Sequence, residues 1–544
     1  LPNRILRLLP SLLPILLLSL LAACGGGSSD SANGTVKIRL TDAPAGENGI
    51  DNVWITVRGV MFHLVDAADP EDTGWIGRRF ADNETVTVNL ARLANGEMQT
   101  VFDNISLPPG RYRQILLFVE PTRAIDNVAA SAGAAGLRYN NQVDTAAGAA
   151  PLRIPDALRG IRLAGTFDVV SGVKLDLAID FDIGHDVVEI SRGAVREYLL
   201  KPLLRYFDLG RAGAIVGRID SAAALDNAAF FVFKAEQPNA DNSYRVVRRF
   251  TTLADNTGRF VFYPLAPGRY DIVLRGRHRK TAIVRNVNVL AGGTPSVGFA
   301  DLGTVTMDAG AEITVGASVS PSGSWIDFYQ TLPGDSVPYE IRFRHVNPFT
   351  GSFEGNIALS AEGIKVGTWN GGNPVAFTTV LPMDNTFSPA AGAFSAVADA
   401  LLYDRSAPLP VNLVDNNSTL AFPALVPSAP ANPAGNTASG HIRMSAAGMG
   451  LTSGLMLAVR DGLVIDRLDV TAMMGNNGGN YAFANLPGGT TLAPFARGVY
   501  GLETIGWSSS SVAVGFRDLT FLPAIADLRF GNRSTINLWM WPLR

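Results

Sequence analysis

Apolar and polar residues alternate one for one along several short runs of the chain, and that period decides the class of fold. Val36, Ile38 and Leu40 alternate with Lys37, Arg39 and Thr41, and Val53, Ile55 and Val57 alternate with Trp54, Thr56 and Arg58. Side chains two positions apart share a face only in an extended strand, so each run predicts a strand with one buried side. Between the two runs, Thr41-Asp42-Ala43-Pro44 and Gly46 supply turn chemistry. The 56 glycines and 32 prolines suit the same picture, because both residues punctuate strands and are poor in helix interiors. The predicted fold class is all-β, a multi-domain chain of β-sandwiches.

At a usual ~100–200 residues per domain, 544 residues predict three or four domains. Hydrophobic residues make up 47% of the chain and charged ones 17%, enough apolar material for several cores, so disorder throughout is excluded. A net charge of -3 gives no reason to expect nucleic acid as a partner. Cys24 is the only cysteine, so disulfides, a thiolate metal cluster and a cysteine nucleophile in the folded body are all excluded.

That cysteine stands in a telling place. Arg4 and Arg7 precede an apolar run from Leu8 to Leu21, the layout of an export signal. The run is interrupted by Pro10 and Pro14 and falls short of the ~20 residues needed to span a bilayer. Leu21-Ala22-Ala23-Cys24 resembles the lipobox of bacterial lipoproteins. The resemblance implies a signal peptide over 1–23, removed on export, and a diacylglycerol-modified Cys24 as first residue of the mature protein. Gly25, where an aspartate would favour inner-membrane retention, implies lipid anchoring in the outer membrane of a Gram-negative bacterium. Residues 24–34, rich in Gly and Ser, are expected to form a flexible tether.

The first folded region is read as 35–208. Gly34-Thr35-Val36 through Pro44, Asp51 to Val57, Leu107-Pro108-Pro109-Gly110-Arg111-Tyr112 with Gln114 to Leu117, Leu177 to Asp182, and Tyr198-Leu199-Leu200-Lys201-Pro202 together resemble the bacterial domain of unknown function DUF4382. The resemblance implies a β-rich fold on a surface lipoprotein and lends no activity. Ala129 to Ala150, rich in alanine and interrupted by Gly133, Gly136 and Gly148, is expected to be an extended loop, since each glycine costs ~1 kcal/mol against alanine in a helix.

The second region, 212–308, contains Gly258-Arg259-Phe260-Val261-Phe262 followed by Leu265-Ala266-Pro267-Gly268-Arg269-Tyr270 and a returning strand. It resembles the carboxypeptidase regulatory-like, or transthyretin-like, seven-strand sandwich, an accessory module without catalytic residues. The third region, 309–423, is predicted to be a further sandwich with strands at Glu312 to Val319, Trp325 to Tyr329, Tyr339 to His345 and Ala393 to Leu402. Residues 424–439 contain Pro427, Pro430 and Pro433 and read as a semi-rigid spacer. The fourth region, 440–544, repeats the outline of the second, with Gly479 to Gly489 paralleling Gly258 to Gly268 but Thr490-Thr491 where the tyrosine is expected.

The five histidines, His63, His185, His278, His345 and His441, show no HExxH or similar spacing, and there is no GxSxG elbow, P-loop or dinucleotide fingerprint. No cofactor is predicted. The best chemical cluster is Asp176, Asp180, Asp182, His185 and Asp186. With Val173, Leu175, Leu177, Ile179 and Phe181 on the buried face, the aspartates share the other, where Asp180, Asp182, His185 and Asp186 are candidate ligands for calcium. A solvated outer face is the preferred reading, because no ordered loop spacing accompanies the acids.

A basic cluster, Arg275, Arg277, His278, Arg279 and Lys280, lies in a stretch from Arg211 to Met307 with 13 Lys/Arg and 7 Asp/Glu. Such an excess is a candidate face for an anionic glycan or an acidic neighbour, and solvated sheet faces explain it as well. Trp325, Trp369, Trp507, Trp539 and Trp541 are candidate sugar platforms, with core packing as the commoner role. The favoured function is a non-enzymatic, lipid-anchored envelope protein that presents sandwich modules for binding or scaffolding, of glycan or of an envelope protein. The alternatives are a hydrolase acting on envelope polymer, with a site between modules, and a subunit of a surface assembly that exposes a large apolar patch.

Overall fold

The computed structural model describes residues 32–542 apart from 44–48, 66–72, 82–83, 123–127, 156, 158, 191–195, 203, 221–222, 224–230, 311, 322, 333–334, 348–351, 358–363, 372–374, 381–393, 412–417, 429–435, 445–449, 461–462, 475–477, 489–497, 509–511, 517–523 and 529–530. Cys24 and the lipobox lie outside the described residues, as does the side chain of Trp541. The chain is all-β, and among the described residues helix is confined to single turns such as Ala130–Ala134 and Ile183–Asp186.

The first unit holds β1 (Gly34–Ala43), β2 (Ile50–His63), β3 (Ile76–Arg79), β4 (Val86–Asn89), β5 (Gln99–Leu107), β6 (Gly110–Val119), β7 (Gln142–Thr145), β8 (Gly148–Arg153), β9 (Ile161–Val169), β10 (Lys174–Asp182), β11 (Val187–Glu189), β12 (Tyr198–Leu200) and β13 (Arg205–Asp208). One sheet runs β13-β10-β1-β5 and the facing one β11-β12-β8-β7-β2-β6-β9. The alternation that predicted β1 and β2 is the core itself: Val36, Ile38, Leu40, Val53, Ile55 and Val57 are all fully buried between the sheets.

Ala129 to Ala150 is not an extended loop. It forms the turn of helix at Ala130–Ala134 and the β7–β8 hairpin. The reason lies in polar residues within the stretch: Asn141 accepts from the Thr56 amide at 3.0 Å, Asn140 accepts from the Ala129 amide at 2.7 Å, and both amides also donate to the carbonyls of Glu120 and Pro121. Side-chain partners replace the ladder that the alanines and glycines could not supply.

The second unit holds β14 (Gly213–Ile219), β15 (Phe231–Pro238), β16 (Arg245–Thr251), β17 (Arg259–Leu265), β18 (Gly268–Gly276), β19 (Ala282–Val289) and β20 (Ala300–Val305). Next come β21 (Ile313–Ser318), β22 (Trp325–Gln330), β23 (Tyr339–His345), β24 (Ser352–Ile357), β25 (Ile364–Thr368), β26 (Phe377–Val380), β27 (Phe394–Asp399), β28 (Leu409–Pro410) and β29 (Ser418–Ala421). The last unit has β30 (Asn436–Met444), β31 (Ser453–Arg460), β32 (Leu463–Asp469), β33 (Gly478–Leu486), β34 (Val499–Trp507), β35 (Val512–Phe516), β36 (Ala524–Asp527) and β37 (Leu538–Pro542).

One pairing scheme recurs four times. An opening strand (β1, β14, β21, β30) pairs antiparallel with one partner (β5, β17, β24, β33) and parallel with a closing strand (β10, β20, β29, β37). The strand after the opening one (β2, β15, β22, β31) pairs antiparallel with every neighbour, on the other sheet in the first three units; in the last, β35 joins β34 to β37 and closes both halves into a single sheet.

A tyrosine pins a turn in the first, second and last units. Tyr112 donates to the Pro108 carbonyl at 3.0 Å and Tyr270 to the Ala266 carbonyl at 2.7 Å, the same reach of four residues back across a Pro-Gly turn. In the last unit the partner of the Leu486-Pro487-Gly488 turn is Tyr500, which donates to the Pro487 carbonyl. The tyrosine that looked absent after that turn is supplied from the far side of an insertion.

The units are not beads. The β19 edge continues in parallel into β25 and then β26, so a hairpin from the stretch read as the third domain completes the sheet of the second. One core runs from Val273 and Ile283 of the second unit through the third and into Leu486, Tyr500 and Leu538 of the fourth. Phe422 and Leu425 ahead of residues 429–435, and Ala438 after them, belong to that core; 429–435, the middle of the stretch read as a spacer, lie outside the described residues. Apolar side chains at its ends find more area to bury against the neighbouring sheets than in an extended connection.

Candidate functional site

The acidic cluster is where the sequence pointed, but it faces inward. Leu177, Ile179 and Phe181 fill the core as predicted, whereas Val173 is half exposed at the start of β10. The opposite face is partly covered at Asp180, where β16 of the second unit lies across it. Arg249, whose side chain is fully buried, pairs with Asp180 and donates to Thr41 Oγ1 at 3.0 Å and to the Asp42 carbonyl at 3.2 Å. Burial pushes the guanidinium down to about 10. Asp42, at the end of β1, accepts from the Ile183 amide at 3.2 Å, and burial, then the charge of Asp182, hold its carboxyl well above the usual range. Asp176 keeps contact with solvent, in a bidentate pair with Arg39 at 2.9 Å.

The remaining members of the cluster close the same junction from the other side. Asp182 caps the turn Ile183–Asp186 and pairs with His185 Nδ1 at 2.8 Å. The His185 ring sits between Phe250 of the second unit and Phe343 of the third, 4.3 and 3.8 Å between ring centres, and its carbonyl accepts from His345 Nε2. Burial pushes His345 well below its ordinary range. Asp186 is fully buried and accepts from the Asp182 amide at 3.1 Å. Lys201 donates to the Gly323 carbonyl at 2.9 Å, and burial brings its ammonium down to about 8. Among the described residues no group of three or more His, Cys, Asp or Glu is arranged to hold a metal ion. Of the candidate calcium ligands, Asp180 pairs with Arg249 of the second unit and His185 packs against the second and third, while Asp182 and Asp186 bond within the first unit around the Ile183–Asp186 turn.

A second charged junction had no sequence signal. Lys234 of β15 pairs with Glu340 of β23 at 2.7 Å, and the Glu340 amide donates to the fully buried Glu236 at 3.3 Å. Arg245 pairs with Asp271 at 3.0 Å and lies 3.7 Å over the Tyr339 ring, whose hydroxyl donates to the same carboxylate at 3.2 Å. Arg405 bridges Asp327 at 3.2 Å and Asp399 at 3.0 Å while lying 3.8 Å over the Tyr244 ring. Burial holds Glu236 and Asp327 far above the usual carboxylate range and brings Asp399 up to about 6. These residues occupy outward positions of strands that read, one at a time, as half-solvated; only the packing of one sheet on another turns them inward.

The basic cluster does not form one open face. Arg275 is buried, Arg277 and His278 turn toward Glu312 at 3.9 and 3.8 Å, Arg279 donates to the Met307 carbonyl at 3.3 Å, and the Lys280 amide donates to the Asp308 carbonyl. The segment leading into β21 runs beside them, while Arg277 and His278 stay 41 and 54% exposed. Of the tryptophans, Trp507 is core, Trp325 packs 6.2 Å from Phe343, and Trp369 donates to the Asp301 carbonyl at 2.8 Å. Trp539 is exposed, with Arg443 5.5 Å from its ring centre.

No curated protein matches the chain. Among solved structures, a type II cohesin-X-dockerin complex from Acetivibrio cellulolyticus is 21% identical and aligns over 18% of this chain and 58% of that one, less than two thirds of its length, with a TM-score of 0.13. The Bacillus anthracis TIE protein is 8% identical over 98% of this chain and 79% of that one, TM-score 0.13. A putative adhesin from Bacteroides ovatus is 10% identical over 40% of this chain and 94% of that one, TM-score 0.14. Residues 33–202, the strands from β1 through β12, match the domain of unknown function DUF4382.

Proposed function

We propose that the protein is a non-enzymatic, lipid-anchored scaffold of the cell envelope, built to present one rigid four-sandwich body to a glycan or a protein neighbour. The observation that carries this reading is Arg249: a fully buried cation of one unit is spent on the end of the first strand of another. The acids a hydrolase would use, Asp180 and Asp186, and the carboxylates Glu236, Asp327 and Glu340 are buried between units, out of reach of a polymer. Breaking a buried pair costs about 3–5 kcal/mol, so such junctions suit a body meant to keep its shape.

The second unit is a transthyretin-like sandwich in this reading, supported by its strand pairing and the Tyr270 turn bond. The anchor rests on Leu21-Ala22-Ala23-Cys24, and delivery to the outer membrane on Gly25. Mass spectrometry of the native mature protein is expected to find diacylglycerol on Cys24, with Cys24→Ser releasing the chain from membranes. Limited proteolysis tests the rigid body: release of a stable fragment by cutting within 424–439 would refute it. A glycan array probed with the soluble form beginning after Asn33 reads the glycan partner, with Trp539→Ala expected to weaken any binding found.

A further inference from the structure

Large apolar side chains are exposed at one end of the first unit, and it is the end from which the tether leaves. Leu64 and Val65 follow β2, and Val170 and Val173 flank the β9–β10 turn, all between 45 and 59% exposed. They are neighbours in space. Leu64 lies over Gly110, which pairs with Val169, while a side chain at Gly34 would collide with Val169 and with the Val170 carbonyl. The chain enters through the middle of this rim: Ser171 Oγ donates to the Ala32 carbonyl at 2.7 Å, the Gly172 amide to the Asn33 carbonyl at 3.4 Å, and Asn33 Nδ2 to Ser106 Oγ at 2.9 Å.

The second unit repeats the arrangement. Gly213 opens β14 against the Leu290 carbonyl, and Leu290 and Val297 are 63 and 71% exposed. Leu209, in the turn joining the two units, donates to the Asp176 carbonyl near the start of β10, so the second rim begins beside the first.

Single exposed apolar residues are ordinary; a group gathered around one chain entry is not. The chain ahead of that entry is short. The seven residues from Gly25 to Ser31 can reach no more than roughly 25 Å. With Cys24 acylated, the rim is therefore held at millimolar effective concentration against the bilayer surface.

We propose that Leu64, Val65, Val170 and Val173 form a membrane-seating rim that dips into the headgroup region beside the lipid anchor and fixes the tilt of the body on the bilayer. The occupant of this apolar surface is a lipid bilayer. The inference rests on the lipid-anchor reading, and the exposed Arg111 beside Gly110 is placed to meet anionic headgroups.

The test uses Val173→Cys carrying an environment-sensitive fluorophore, with Ala407→Cys, exposed on the third unit, as control. Each is made in the Cys24→Ser chain held by an N-terminal hexahistidine tag on nickel-chelating lipid in vesicles of phosphatidylethanolamine and phosphatidylglycerol, so the rim is tested whether or not Cys24 carries lipid. The proposal expects the Val173 probe to shift to the blue and to be quenched by lipid-borne quenchers about threefold more than the Ala407 probe, and Val170→Asp to abolish the difference. Equal, water-like signals from both probes would overturn the rim. An unmodified Cys24 in the native protein would overturn the anchor while leaving the vesicle result standing.

Discussion

Replacing Arg249 with methionine tests whether the junction between the first two units is held by charge. The substitution leaves Asp180 and Asp42 buried without their cation and deprives Thr41 Oγ1 and the Asp42 carbonyl of a donor. Removing one partner of such a pair costs about 3–5 kcal/mol, whereas exchanging the pair for apolar groups of similar volume is neutral or stabilising. Arg249→Met is therefore expected to weaken the junction by about 3–5 kcal/mol, and Arg249→Met with Asp180→Leu to recover most of it, a coupling of several kcal/mol. Hydrogen exchange at the amides of β1, β10 and β16 reads the local opening directly. At ~1.4 kcal/mol per tenfold, the single variant should speed exchange by roughly two to four powers of ten and the double variant by far less. If the single variant exchanges within about threefold of the parent, or the double variant loses as much as both singles together, the charges do not hold the junction.

Three other outcomes follow from the geometry. Tyr270→Phe and Tyr112→Phe each remove one hydroxyl bonded to a turn carbonyl and should cost about 1–2 kcal/mol apiece in thermal or chemical unfolding, without altering the fold by circular dichroism. Asp399, at about 6 in the folded protein against 3.8 ordinarily, makes the folded state bind more protons than the unfolded one between those values, so its contribution rises as pH falls through 6 and is complete below about 4. Asp399→Asn should flatten that part of the stability-against-pH curve. Lys201, brought down to about 8 from 10.5, penalises the fold below about 8 and relieves the penalty as pH rises from 8 to 10.5; in Lys201→Met that alkaline rise should disappear.

What the chain revealed by itself was local. Val36, Ile38 and Leu40 could be placed in the core because their partners lie on the facing sheet of the same unit. The Pro-Gly-Arg-Tyr turns were legible because the tyrosine and its acceptor are four residues apart. Asp180 misled for the opposite reason: its alternation is that of an outward face, and the strand that covers it arrives from another unit 69 residues away. Val173 failed because it lies just ahead of β10, in the exposed turn between β9 and β10. The link between Tyr500 and Pro487 was hidden by the inserted residues 489–497.

The β25–β26 hairpin changes what it means to synthesise this chain from its amino end. The β19 edge stays without its neighbour until roughly 75 further residues have been made, about 4–15 s at ordinary ribosome speeds. For that interval Ala282 to Arg285 present bare amides and carbonyls to any passing strand, and a recombinant fragment ending near residue 308 would keep them bare for good. Such a fragment should be sticky in solution where the longer chain is not, and anyone dividing the molecule for crystallisation or display would do better to cut after the hairpin than before it.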